Sequence, residues 1–180
     1  LVGEYNYQPG ALSVNAHTHP VHSYDNEHWT HFEHTEWDDR AKELKFRFTP
    51  EQDTVWIAHT PPYTLRHLRR LEEAAADRPY LLRGIAGWTV QGREIPLWTI
   101  TEAPDNAPVI WLMFRQHSWE SGSSWIGDGG LRFLLGDTAE AARMRKQAIW
   151  KIFPVADPDG VEIGGVRFNV HGYDLNRNWD

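Results

Sequence analysis

Val109-Ile110-Trp111-Leu112-Met113-Phe114-Arg115-Gln116-His117-Ser118-Trp119-Glu120 is the stretch that decides how this chain is read. Six apolar residues without a break predict a strand buried on both faces, because a half-buried strand would alternate. His117 and Glu120 follow at the carboxyl end of that strand, at the entrance to a helix predicted over about 120 to 135. Open α/β sheets place their ligand sites at such a position. A separation of three residues along a helical turn puts imidazole and carboxylate on one side, so that both can converge on one Zn²⁺.

Working outward, a second helix runs from Asp137 as its cap through Ala148, and Ile149 to Val155 forms the next buried strand, closed by the turn Asp157-Pro158-Asp159-Gly160. Upstream, Thr64 caps a helix with Leu65, Leu68 and Leu71 on one face, ending near Ala76 before Asp77-Arg78-Pro79. Strands at about 82 to 89 and 95 to 101 are joined through Gln91-Gly92-Arg93 as a hairpin turn. Buried strands alternating with helices predict an α/β domain with a mixed, largely parallel sheet and flanking helices. Residues 1 to about 58 differ: Lys45 to Phe48 and Thr54 to Ala58 are short β-like runs in turn-rich surroundings. Pro61-Pro62 breaks the chain between the two regions. The expected organisation is a β-rich N-terminal module over 1–60, part of a β-sandwich, and an α/β domain over 61–180.

The formal net charge of -7, with no extended basic run, excludes nucleic acid and an anionic membrane as main partners. No apolar stretch approaches the roughly 20 residues needed to span a bilayer. With no cysteine in the chain, any metal must be held by His, Asp or Glu, and no thiol nucleophile exists. No serine sits in a nucleophile elbow, and neither Asp128-Gly129-Gly130 nor Gly164-Gly165 has the spacing of a phosphate loop. His17, His19, His22, His28, His31 and His34 include a His-x-His pair. With acids and turn residues around them, they are expected in a solvated loop without a metal site.

Arg115-Gln116-His117-Ser118-Trp119-Glu120 resembles the His-x-x-Glu unit of the zinc metallocarboxypeptidases, especially their cytosolic carboxypeptidase branch, with Ser118-Trp119 where Pro-Gly is common. Ile152 to Val161 is similar to the family's buried strand and Asn-Pro-Asp-Gly turn, with Asp157 in place of the usual Asn. Gly172-Tyr173-Asp174-Leu175-Asn176-Arg177-Asn178-Trp179 is the most specific segment, and the likeness runs in order from about Pro61 to Asp180.

That resemblance implies one zinc ion held by His117 and Glu120, Arg167 over the scissile carbonyl as oxyanion donor, and Asn176 with Arg177 holding the substrate's terminal carboxylate. Asp174, Asn178 and Trp179 are expected to be structural, holding the loop and packing the core. The implied activity is hydrolysis of the C-terminal peptide bond of a peptide or protein, in the cytoplasm. The family's third zinc ligand and general base are a downstream His and Glu. Only His171 follows Glu120 among the histidines, and it reads as an exposed loop residue. The chain is therefore expected to be an incomplete fragment, inactive alone, whose missing ligand and base lie past residue 180. A related zinc deacylase of N-acyl amino acids and a non-catalytic module that binds peptide C-termini stay open as alternatives.

Overall fold

The computed structural model describes residues 14–179; residues 1–13 and 180 of the two expected domains lie outside that range. The chain divides into two compact units between Pro62 and Tyr63.

The first unit is built from short strands: β1 (Val21–Ser23), β2 (Thr30–His31), β3 (Thr35–Asp38), β4 (Glu43–Phe46) and β5 (Trp56–Ala58). β1 lies between β2 and β5, antiparallel to both, and β3 and β4 form a separate hairpin. Val21 and Leu44 are buried, and Phe32 stacks on Phe46 with ring centroids 4.4 Å apart. His22 does not lie in a solvated loop, as expected from the sequence. It sits in β1 between buried Val21 and Ser23, with its ring 4.8 Å from that of Phe32. A three-residue strand held from both sides is too short to show a period in the sequence. His28, by contrast, is exposed and pairs with Asp25 at 2.7 Å.

The second unit opens with α1 (Leu65–Ala74), whose Leu68 and Leu71 are buried. The Thr64 backbone is extended, and its amide donates to His67 Nδ1 at 3.1 Å. β6 (Leu81–Trp88) and β7 (Glu94–Ile100) form a hairpin with a bulge between Ile85 and Gly87. Its turn contains Gly92 at φ 76, a left-handed position that a side chain would strain. β8 (Val109–Met113), α2 (Ser121–Leu134), α3 (Ala139–Gln147), β9 (Ile149–Phe153) and the short α4 (Pro158–Ile163) complete it.

The main sheet has the order β6-β7-β9-β8. Only β8 and β9 are parallel, and the pairs β6/β7 and β7/β9 are antiparallel. The expected largely parallel sheet is thus corrected to a mostly antiparallel one. The reason is local: a tight turn forces β6 and β7 to run in opposite directions, and only β8 and β9 are separated by helices long enough for a crossover. One face of the sheet carries the core, in which Trp98, Ile100 and Ile152 pack against Leu68, Leu71 and Leu131. β8 was expected to be buried on both faces, but Val109, Trp111 and Met113 are exposed. Among the described residues β8 pairs with β9 alone and its alternate side chains point away from α2 and α3, and an apolar run cannot report which of its faces is covered.

Gly127 lets α2 approach the end of β8, since a Cβ there would lie 2.9 Å from the Phe114 ring. Two boundaries also differ from those expected from the sequence. Thr138 rather than Asp137 caps α3, accepting from the Ala141 amide. The expected turn at Asp157 instead opens α4, with Asp157 as cap, Pro158 in the first turn and Gly164 left-handed at the end.

Candidate active site

β8 hands over to the site through an unusual turn. The Phe114 amide still pairs with the Phe153 carbonyl at 2.9 Å, as a continuation of the β8/β9 ladder. Arg115 then adopts φ 60, a conformation that costs a non-glycine residue free energy. Its buried guanidinium offsets that cost by donating to the Ser118 carbonyl at 2.8 Å, the Tyr63 carbonyl at 3.1 Å and Ser124 Oγ at 3.0 Å. Burial pulls the Arg115 guanidinium down to about 10, with neighbouring acids opposing the shift. Below the turn, a Cβ on Gly160 would meet Ser118 Oγ at 2.7 Å, so the chain after β9 passes directly under the residue following His117. Burial also pushes the Asp157 carboxyl above its usual range, although the Gly160 amide bonds it.

His117 is presented buried, 4% exposed. Its Nδ1 lies 2.9 Å from Glu120 Oε1, and its Nε2 lies 3.0 Å from Asp174 Oδ1. A neutral imidazole donates from one nitrogen only. If Nε2 donates to Asp174, the Nδ1 lone pair and Glu120 Oε1 are two acceptors facing each other, which is the donor set for a shared cation. A carboxylate behind the far nitrogen is also the usual way in which a metal-ligating histidine is oriented. His117 and Glu120 therefore fit a zinc ion as two of its ligands. Among the described residues, no group of three or more His, Cys, Asp or Glu side chains could hold a metal.

Asp174, expected to hold the loop, is also the hub of the cluster. Its Oδ1 also accepts from the Asn176 amide at 2.8 Å, and its Oδ2 accepts from Arg167 Nε at 2.6 Å. One buried carboxylate thus joins a candidate zinc ligand, the candidate oxyanion donor and the start of the candidate anchor. Nothing in the sequence announces this, because the contact with His117 spans 57 residues. Gln116 adds a second tie, donating to the Leu175 carbonyl at 3.3 Å. Asn176 and Arg177 are exposed, and Arg177 Nη1 donates to the Asn176 carbonyl at 2.7 Å. Trp179 does not pack the core as expected. It is 65% exposed, and its indole N–H reaches Asn176 Oδ1 at 3.4 Å.

The family model described as zinc carboxypeptidase matches residues 67–180, more than half of the chain. The chain belongs to the zinc carboxypeptidase family. The model described as cytosolic carboxypeptidase N-terminal domain matches residues 6–59. Among its relatives, cytosolic carboxypeptidase 1 of Xenopus laevis is 34% identical over 148 residues, covering 73% of the chain but 12% of that protein. Cytosolic carboxypeptidase 6 of Caenorhabditis elegans is 36% identical over 143 residues, covering 76% of the chain and 31% of that protein. A metallo-carboxypeptidase from Pseudomonas aeruginosa, solved in complex with (2-guanidinoethylmercapto)succinic acid, is 33% identical with a TM-score of 0.81, over 90% of this chain and 43% of that one. A metallo-carboxypeptidase from Burkholderia cenocepacia is 30% identical with the same TM-score, over 90% of this chain and 44% of that one. The chain thus spans less than half of these relatives. None of its described helices is long and apolar enough to cross a membrane.

Proposed function

We propose that this chain is the part of a zinc-dependent metallocarboxypeptidase that grips the C-terminus of a peptide or protein and positions its last peptide bond for hydrolysis. The supporting observation is the buried Asp174 carboxylate, which contacts His117, Arg167 and the Asn176 amide at once. His117 and Glu120 would hold the zinc, which when bound polarises the carbonyl and acidifies its water. Asp174 keeps the His117 ring turned with Nδ1 toward Glu120. Arg167, held at Nε by Asp174, serves the developing oxyanion, a role worth about 3 kcal/mol for one donor. Asn176 and Arg177 take the terminal carboxylate, where a guanidinium fork forms two parallel charge-assisted bonds. The succinic acid derivative bound by the Pseudomonas aeruginosa relative carries carboxylates of the kind such an anchor takes. We place the third zinc ligand and the general base in the length of the relatives that this chain does not span. The names of the cytosolic relatives support a cytoplasmic location.

Calorimetry with one peptide in free-acid and C-terminally amidated forms tests the anchor. The free acid should bind at least about tenfold more tightly, and Arg177→Ala should abolish the difference. Equal affinities in the unaltered protein would remove Asn176 and Arg177 from the site. Zinc titration tests the metal: Asp174→Asn should weaken binding about tenfold or more, as loss of an orienting carboxylate does.

A further inference from the structure

β6 presents an unpaired edge. Among the described residues it pairs with β7 on one side and with no strand on the other, and Leu82, Ile85 and Trp88 along it are 68%, 48% and 63% exposed. Natural edges of this length are usually blunted by lysine, proline or a cover, whereas β6 has only Arg83 and the bulge after Ile85. The stretch Leu81 to Ile85 keeps regular ladder geometry.

A second, independent feature lies against this edge. A groove of about 540 Å³, within the size range of ligand pockets, is walled by Arg83, Gly84 and Ile85 of β6, by α1, by β7 and by α4. Its apolar lining includes Leu65, Leu68 and Trp98. The charges on its walls are divided between those already used and those left over. Glu72 lies 3.8 Å from Arg83, and Arg93 is taken by buried Asp159 at 2.8 Å. Arg69 on α1, Glu94 on β7 and Glu162 on α4 also line the groove, and none has an ion-pair partner among the described residues. None of the lining residues belongs to the His117 cluster.

We propose that β6 is a strand-addition site for an extended polypeptide segment of mixed charge. The segment pairs its backbone with the open edge and seats an apolar side chain in the groove. An acidic residue of the segment meets Arg69, and a basic residue meets Glu94 and Glu162. Strand addition takes its affinity from main-chain hydrogen bonds and its specificity from alternate side chains, which is the division that the edge and the groove provide. The Arg93–Asp159 ion pair and the bonds from Thr89 and Gln91 to Asp159 clamp the hairpin to α4, so the edge is presented rigidly.

The probe is a synthetic peptide of alternating valine and serine with a glutamate near one end and a lysine near the other, acetylated and amidated so that it has no terminal carboxylate for Arg177. Amide hydrogen exchange on the whole chain should show slowed exchange in β6 on adding the peptide. A double variant, Arg69→Glu with Glu94→Lys, should bind this peptide at least about tenfold more weakly and recover affinity for its charge-reversed counterpart. Both substitutions are at exposed positions, so the variant should fold, which its circular dichroism checks. Failure of the peptide to protect β6, or equal binding of both peptides by both proteins, would overturn the proposal. Protection of β6 that rises with protein concentration in the absence of peptide would also overturn it, in favour of pairing between copies of the chain.

Discussion

At the residue scale, two buried aspartates with the same side chain do different work. Asp174 sits among groups that the proposed chemistry uses, while Asp159 holds the fold around them. Asp159 is 2% exposed and accepts from Thr89 Oγ1, the Gln91 amide and Arg93. Burial pushes its carboxyl up, but these bonds outweigh burial and hold it below the ordinary value of 3.8. A group whose folded value is depressed contributes stability that is present above 3.8 and lost as pH falls through the folded value. Asp159→Asn should therefore cost about 2 kcal/mol at neutral pH, and urea titrations should show that difference shrinking below about pH 4. A difference that does not change with pH would mean that the charge of Asp159 is not what stabilises the clamp.

At the element scale, α2 shows how one substitution can change sign within a single helix. Gly127 faces Phe114 with no room for a methyl group, whereas nothing lies within 4 Å of a Cβ on Gly129. Alanine is favoured over glycine in a helix by about 1 kcal/mol. Gly129→Ala should raise stability by about 0.5 to 1 kcal/mol. Gly127→Ala should lower it, because overpacking at the strand end costs about 1 to 3 kcal/mol. Thermal melts of the two variants in parallel are the measurement, and shifts of the same sign would contradict the packing described for β8 and α2. A helix over α2 was legible in the sequence, but which of its glycines touches the strand was not, since that depends on the rotation of the helix about its own axis.

At the scale of the whole molecule, the second unit is a sheet with its core on one face and exposed Leu82, Val109 and Trp111 elsewhere on its strands. Exposed apolar side chains such as Val109 and Trp111, two residues apart on β8, offer a surface to apolar dyes. Trp111→Lys should lower the dye fluorescence of the chain without changing its circular dichroism. The sequence by itself determined the order of helices and strands in this unit apart from α4, and the place of His117 and Glu120 between a strand and a helix, because these rest on spacing along the chain; the roles expected of Arg167, Asn176 and Arg177 came only from the resemblance to the zinc carboxypeptidases. Capping at Thr64, the hairpin turn at Gly92 and the helix before Gly136 are likewise local choices that neighbouring residues dictate. Only the tertiary structure decided that β9 inserts between β7 and β8 and makes the sheet mostly antiparallel, and that one face of β8 stays exposed. It alone placed Asp174 between His117 and Arg167. Strand order and a contact across 57 residues are settled by which surfaces meet when the chain closes on itself, and no local pattern of residues encodes that meeting.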